Sequence, residues 1–175
     1  MRVIAGEFRS RRINAPPGME TRPTPDRLRE SLFSILQPEL EGRVFMDAYA
    51  GSGAVGIEAL SRGAASAIFI ELSRTAMEVL RDNLRSLGVE ARARVFAGKV
   101  AQVLEHQTAD IVFLSPPYTI PEEYELALGV LARKPAPLVI VQHPPKLDPG
   151  EAHGPLTRKR LLRQGDNSLS FYRLP

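Results

Sequence analysis

The chain has 175 residues, 43% apolar and 25% charged, which suits one globular domain with a sizeable core. It contains no cysteine, which excludes disulfides, thiolate metal sites and a cysteine nucleophile. Net charge is only +3 but unevenly spread: residues 1–22 carry five arginines against Glu7 and Glu20, residues 156–175 carry Arg158, Lys159, Arg160, Arg163 and Arg173 against Asp166, and the middle is mildly acidic. Two basic ends suit contacts to a phosphate backbone. His106, His143 and His153 lie far apart, so no metal site is expected. No apolar run approaches the roughly 18 residues of a membrane span, and Met1–Gly6 lacks the apolar core of a signal peptide. A cytoplasmic, monomeric protein with no membrane partner is the expectation.

Residues 2–14 alternate loosely and suggest a short hairpin around Gly6. Pro16-Pro17-Gly18 breaks the chain. Thr24-Pro25-Asp26 then starts a helix, with Thr24 as cap and Pro25 in the first turn. Leu28, Leu32, Phe33, Ile35 and Leu36 form its apolar stripe, and Pro38 is expected to end it. From Val44 strands and helices alternate. Strands are expected at Val44–Ala48, Ala67–Glu71, Ala93–Ala97, Asp110–Leu114 and Leu138–Gln142. Helices are expected from Ala54 to Arg62, closed by Gly63, and from a Ser73 cap to Leu87, stopped by Gly88. A short helix should reach about His106, and another should run from Pro121 to about Arg133. This alternation argues for a parallel sheet with helices on both faces. Arg158–Arg163, a Gly165-Asp166-Asn167 turn and Leu169–Leu174 read as an antiparallel hairpin.

Two motifs carry chemistry. The first is Asp47-Ala48-Tyr49-Ala50-Gly51-Ser52-Gly53-Ala54-Val55-Gly56, between a strand and a helix. Gly51 and Gly53 permit positive φ and close approach of backbone N–H groups to a cofactor. Glu71 ends the next strand, where a carboxylate can accept both hydroxyls of a ribose. The spacing also satisfies the dinucleotide pattern G-x-G-x-x-G. Asp47 shifts the balance toward S-adenosylmethionine, because an acid there can hold the methionine amino end.

The second motif is Ser115-Pro116-Pro117-Tyr118, directly after a strand. The two prolines remove N–H donors and stiffen the loop, leaving acceptors free. An exocyclic amine needs such acceptors, since they favour the pyramidal geometry in which its lone pair attacks a methyl group. Ser115 Oγ and the Pro116 carbonyl are candidate acceptors, and Tyr118 is expected to stack on the base.

With these residues the chain resembles the small-subunit rRNA guanine-N2 methyltransferase family, the RsmD group. The likeness covers almost the whole length. It includes Arg2–Gly6, then Arg22-Pro23-Thr24-Pro25-Asp26-Arg27-Leu28-Arg29-Glu30 with Leu32-Phe33, and Asp47–Gly56 with Glu58–Ala64, then Glu71 and the diproline motif. It implies a class I S-adenosylmethionine-dependent methyltransferase fold. That is a Rossmann-like, mostly parallel seven-stranded sheet with a C-terminal antiparallel hairpin. One methyltransferase domain would span 1–175, with a basic hairpin extension at 1–22 and a catalytic core at 23–175. The substrate implied is N2 of one 16S rRNA guanine, in the small ribosomal subunit or an assembly intermediate. Asp47, Ala50, Gly51 and Gly53 would hold the methionine part of the cofactor. Glu71 would bind the ribose, Leu72 would pack on the adenine, and backbone at Gly98 and Lys99 would hold the adenine edge. Ser115, Pro116, Pro117 and Tyr118 would hold the base, and Arg9, Arg11, Arg12, Arg22, Arg27 and Arg29 the RNA.

Two residues depart from the family pattern. Ser115 stands where aspartate is usual, so it brings no charge to a developing ammonium. Gly98 stands where many relatives carry a polar residue. Other readings are a DNA amino methyltransferase (cytosine N4 or adenine N6), a catalytically weak S-adenosylmethionine-binding ribosome-assembly protein, and a Rossmann dehydrogenase. The first lacks room for a target-recognition domain, and the last lacks a domain for hydride transfer.

Overall fold

The structure is a computed structural model that describes residues 1–18 and 23–175. Helix α1 (Asp26–Leu40) precedes strand β1 (Val44–Ala48), helix α2 (Ala54–Ser61), strand β2 (Ser66–Glu71) and helix α3 (Arg74–Leu87). Strand β3 (Ala93–Ala97), helix α4 (Val100–Leu104), strand β4 (Ile111–Leu114), helix α5 (Glu122–Arg133) and strand β5 (Leu138–His143) follow. Strands β6 (Ala152–His153), β7 (Leu156–Gln164) and β8 (Asn167–Arg173) complete the chain. The sheet order is β3-β2-β1-β4-β5-β8-β7-β6. The first five strands in that order are parallel, and β8, β7 and β6 join antiparallel.

Both alternating sets of side chains on the central strands are apolar, as a sheet covered on two sides requires. Phe45, Phe69 and Phe113 pack against α1, α2 and α3. Met46, Ile68 and Val112 pack against α4 and α5. Each such burial contributes roughly 1.5–3 kcal/mol, which fixes strand register and so the positions of the loops at the strand ends. The chain leaves β1 toward β2 and β3, then returns to β4 on the other side of β1. In open sheets that reversal opens a crevice at the carboxyl ends of the strands.

The expected α/β architecture is borne out, with four local differences. Helix α1 continues through Pro38 to Leu40, because the proline falls in the last turn and Leu36 and Leu40 are both fully buried. Thr24 does not cap α1. Pro25 occupies the cap position and the Thr24 hydroxyl bonds Gln142 instead. The sheet has eight strands rather than seven, since Ala152–His153 adds β6 beside β7. The N-terminal hairpin reduces to one bridge, Arg2 with Arg12.

That N-terminal segment is fastened mainly by side chains. Val3, Phe8 and Ile13 are buried against α2 and α3. The Glu58 carboxylate, fully buried, accepts from Ile4 N at 2.9 Å and Ala5 N at 3.0 Å. Arg29, also fully buried, donates to Arg2 O at 2.7 Å and Asp26 Oδ1 at 3.1 Å.

Candidate active site

A cavity of about 430 Å³ opens where β1, β2 and β4 end, at the topological reversal. Its volume suits a drug-sized ligand. Of the residues expected from sequence, Asp47, Ala50, Gly51, Glu71, Leu72, Lys99, Ser115 and Pro117 line it. Gly53, Gly98, Pro116 and Tyr118 do not.

The glycine loop divides its work between cavity and core. Gly51 has φ +57° and reaches the cavity. Gly53, at φ +83°, is the residue before α2, and a Cβ there would lie 2.2 Å from Leu80 Cδ1. Its smallness serves the approach of α2 to α3. Gly56 serves packing too, since its Cβ would lie 2.3 Å from Phe69 Cε1 on β2.

Two carboxyl groups set the cavity's electrostatics. Asp47 is only 1% exposed, and its Oδ2 accepts from Gly56 N at 2.9 Å. Burial pushes its pKa up to about 8; the Gly56 bond opposes the rise and Glu71 adds to it. A buried carboxyl group facing a cavity is a ready partner for a cation, whose arrival restores the ionised form. Glu71 is oriented by backbone. Its Oε2 accepts from Gly51 N at 2.7 Å, and its Oε1 from Leu72 N at 2.9 Å and Ser73 N at 2.8 Å. Three of about four lone-pair sites are thus taken. One ligand hydroxyl is the capacity left, rather than the two expected, unless a backbone donor is displaced.

Apolar surface marks the outer part of the cavity. Leu72 and Ile120 are 65% and 45% exposed, unusual for large aliphatic side chains, and both line it together with Val100. A flat ring covering them would remove that surface from water. Ile120, Val100 and Glu123 were not singled out from the sequence, and Thr24, Tyr49 and Ser52 were named there without a role in the cavity that they also line. Tyr49 carries a signal the sequence does not show. It is a non-glycine residue at φ +67°, and its hydroxyl donates to Glu123 Oε2 at 2.9 Å. Among the described lining residues, Asp47, Glu71 and Glu123 face a single cation, Lys99, so acids predominate there.

On the β4 side, Ser115 Oγ donates weakly to Tyr49 O at 3.5 Å, leaving its lone pairs available. The Pro117 carbonyl accepts from Ile120 N at 3.1 Å. Tyr118 is not among the lining residues, and its hydroxyl donates to Asn167 Oδ1 at 2.6 Å. Gln142 Nε2 donates to that same hydroxyl and to Asn167 Oδ1, both at 3.3 Å.

The arginines separate. Arg9, Arg11, Arg12 and Arg27 are exposed, and Arg11 donates to Ser86 O at 2.8 Å. Arg29 is corrected: its guanidinium is buried and bonded to Arg2 O and Asp26, so it presents no charge to a solvent-side phosphate. Arg22 lies outside the described residues.

Residues 1–173 match the family described as Conserved hypothetical protein 95. The chain belongs to this family, the RsmD-type methyltransferases. Bacillus subtilis YlbH is 30% identical over 99% of this chain and 98% of its own length. Ribosomal RNA small subunit methyltransferase D of Escherichia coli is 40% identical over 120 residues, 67% of this chain and 60% of that protein. The solved structure of Escherichia coli yhhF superposes with a TM-score of 0.85 at 31% identity, covering 99% of this chain and 97% of that one. The sheet order and this likeness identify the fold as that of the class I S-adenosylmethionine-dependent methyltransferases.

Proposed function

We propose that this protein transfers a methyl group from S-adenosylmethionine to the exocyclic N2 amine of a guanine in small-subunit (16S) rRNA. One observation carries the reading. The acid-lined glycine loop meets Ser115 and Pro117 at one cavity, so a methyl donor and an amine acceptor share a chamber. The relatives named for small-subunit rRNA methylation support the substrate class.

S-adenosylmethionine supplies, when bound, an electrophilic methyl group on a cationic sulfonium. The cavity fits such a ligand. Asp47 offers a buried carboxyl group for its ammonium, Glu71 a lone pair for a ribose hydroxyl, and Leu72, Val100 and Ile120 an apolar seat for adenine. The predominance of acids suits the net positive charge. Ser115 accepts from an amine N–H and orients its lone pair toward the donor, while Pro116 and Pro117 keep competing N–H donors out of the loop. No strong base is required, because the ammonium product loses its proton readily to water. Arg9, Arg11, Arg12 and Arg27 contact RNA phosphates from the exposed surface.

The test supplies labelled S-adenosylmethionine with small subunits, extracted rRNA and, separately, genomic DNA from a strain lacking this gene, then maps the product by mass spectrometry. One N2-methylguanine in 16S rRNA is the expected result. Label on a cytosine or adenine amine of DNA, or cofactor binding without transfer to either nucleic acid, would overturn it.

A further inference from the structure

We propose that the β7–β8 hairpin is a second RNA-contacting surface, on the nucleobase side of the cavity, with Lys159, Arg160 and Arg163 engaging phosphates that flank the target nucleotide. The inference rests on the methyltransferase reading above and extends it to residues outside that site.

The charge pattern comes first. Of the five cations in the C-terminal segment, two are satisfied within the fold. Arg158 bonds Asp148 at 2.7 Å and Glu151 at 2.5 Å, and Arg173 pairs with Glu39. Lys159, Arg160 and Arg163 are exposed and have no acidic partner among the described residues. They also sit on an open edge. Strand β6 pairs with β7 only at Leu156 and Thr157, and no described strand flanks Lys159–Gln164 on the outer side. Long side chains on either face of an edge strand reach around that edge.

Their position comes second. Arg163 is in register with Ser168 of β8, and Ser168 with His143, the last residue of β5. Arg163 therefore lies at the carboxyl end of the parallel strands, where the cavity opens. From β4, which leads into Ser115, to β7 is three strand spacings, about 14 Å. That equals about four nucleotides at the stacked rise of 3.4 Å. The hairpin is also fastened to the nucleobase loop. Asn167, first residue of β8, accepts from the Tyr118 hydroxyl at 2.6 Å, so the turn and the Ser-Pro-Pro-Tyr loop form one hydrogen-bonded unit. RNA held on the hairpin is thus held at a fixed offset from the amine acceptors. The exposed N-terminal arginines grip from the opposite side, over α2 and α3.

The test combines Lys159→Gln, Arg160→Gln and Arg163→Gln in the full chain. The control removes equal charge at the amino ends of the strands and the far end of α5, with Arg43→Gln, Arg94→Gln and Arg133→Gln. Binding of extracted 16S rRNA is measured across a salt series, beside S-adenosylmethionine affinity. The hairpin variant should bind rRNA about 10- to 100-fold more weakly near 0.1 M salt, with the log–log salt slope reduced by about two. Cofactor affinity should be unchanged and the control near wild type. A hairpin variant with the slope and affinity of the control overturns the proposal. Self-association with unchanged rRNA affinity would also overturn it, showing that the charges only guard an open strand edge. Loss of rRNA affinity in the hairpin variant, with no methyl transfer by the wild-type protein, would support this surface while sinking the methylation reading.

Discussion

The Thr24 hydroxyl donates to Gln142 Oε1 at 2.7 Å, joining residues 118 positions apart. Gln142 passes the connection on through Nε2 to Tyr118 and Asn167. One buried amide thereby ties the segment before α1, the Ser-Pro-Pro-Tyr loop and the C-terminal hairpin together. Gln142→Leu removes every one of these bonds while keeping side-chain bulk. Each lost bond is worth about 1 kcal/mol, enough to lower kcat for methyl transfer about tenfold if half the effect reaches loop placement. S-adenosylmethionine affinity should hold within about twofold, because Asp47 and Glu71 lie outside the network. Equal losses in cofactor binding and kcat would mean that the network supports the whole cavity rather than the amine side.

The raised pKa of Asp47 makes opposite demands on stability and binding. Its value near 8 lies above that of an unfolded aspartate, so the native state holds a proton that the unfolded state releases. The proton is bound in both states below about pH 4, and stability falls as pH rises from there to about 8. Asp47→Asn removes this dependence and keeps an acceptor for Gly56 N. The ligand-free variant should melt several degrees higher than wild type at pH 8 and nearly alike at pH 4. S-adenosylmethionine affinity should fall about 100-fold or more, as the charge partner of its ammonium is lost. Calorimetry at both pH values checks the sign, and titration calorimetry the affinity. Affinity retained in Asp47→Asn would remove Asp47 from the cofactor site.

Much of the sheet was legible because each βα unit is punctuated by local chemistry. Ser73 caps α3 by accepting from Ala76 N, and Gly88 ends it at φ +69°, as their residue types suggest. What stayed hidden depends on partners remote in sequence. Thr24 reads as a cap until Gln142 is in place. Tyr118 reads as a stacking ring, yet its hydroxyl partner Asn167 is 49 residues away. Strand β6, two residues long, exists only through its pairing with β7 and carries no pattern of its own. The glycine loop shows the same limit, since spacing alone does not separate a ligand-facing glycine from a packing one.

Gly53→Ala tests that separation. The new methyl would meet Leu80 Cδ1 at 2.2 Å and the backbone would keep a positive φ. The two costs together should destabilise the protein by about 2–4 kcal/mol. In the folded fraction, cofactor affinity should stay within about threefold of wild type. Denaturant melts beside binding titrations decide the matter. A large affinity loss with little change in stability would return Gly53 to the cofactor site.

Arg29 makes a parallel case for a charged residue. Arg29 and Glu58 are both fully buried, with Nε and Oε2 3.8 Å apart, and both hold the first five residues of the chain. Arg29→Ala removes the bonds to Arg2 O and Asp26 and empties a large volume, while Glu58 keeps its closer partner, Arg62 Nε at 2.8 Å. Emptying so large a buried position costs about 2–5 kcal/mol. Hydrogen exchange at Ile4 and Ala5 should accelerate, and the rRNA salt slope should not change. A reduced slope with native stability would make Arg29 a phosphate contact after all.

Ser115 tests how much charge the proposed amine site needs. A serine hydroxyl accepts a hydrogen bond but carries no charge to stabilise a developing ammonium, and its proton already points at Tyr49 O at 3.5 Å. Ser115→Asp adds a carboxylate where positive charge grows during transfer. Charge-assisted bonds are roughly twice as strong as neutral ones, so kcat should rise about tenfold with little change in S-adenosylmethionine affinity. Single-turnover transfer to rRNA from the deletion strain measures it directly. A rate that falls instead would show that the carboxylate is repelled by the Tyr49 carbonyl, and that the neutral hydroxyl is the acceptor this loop is built to use.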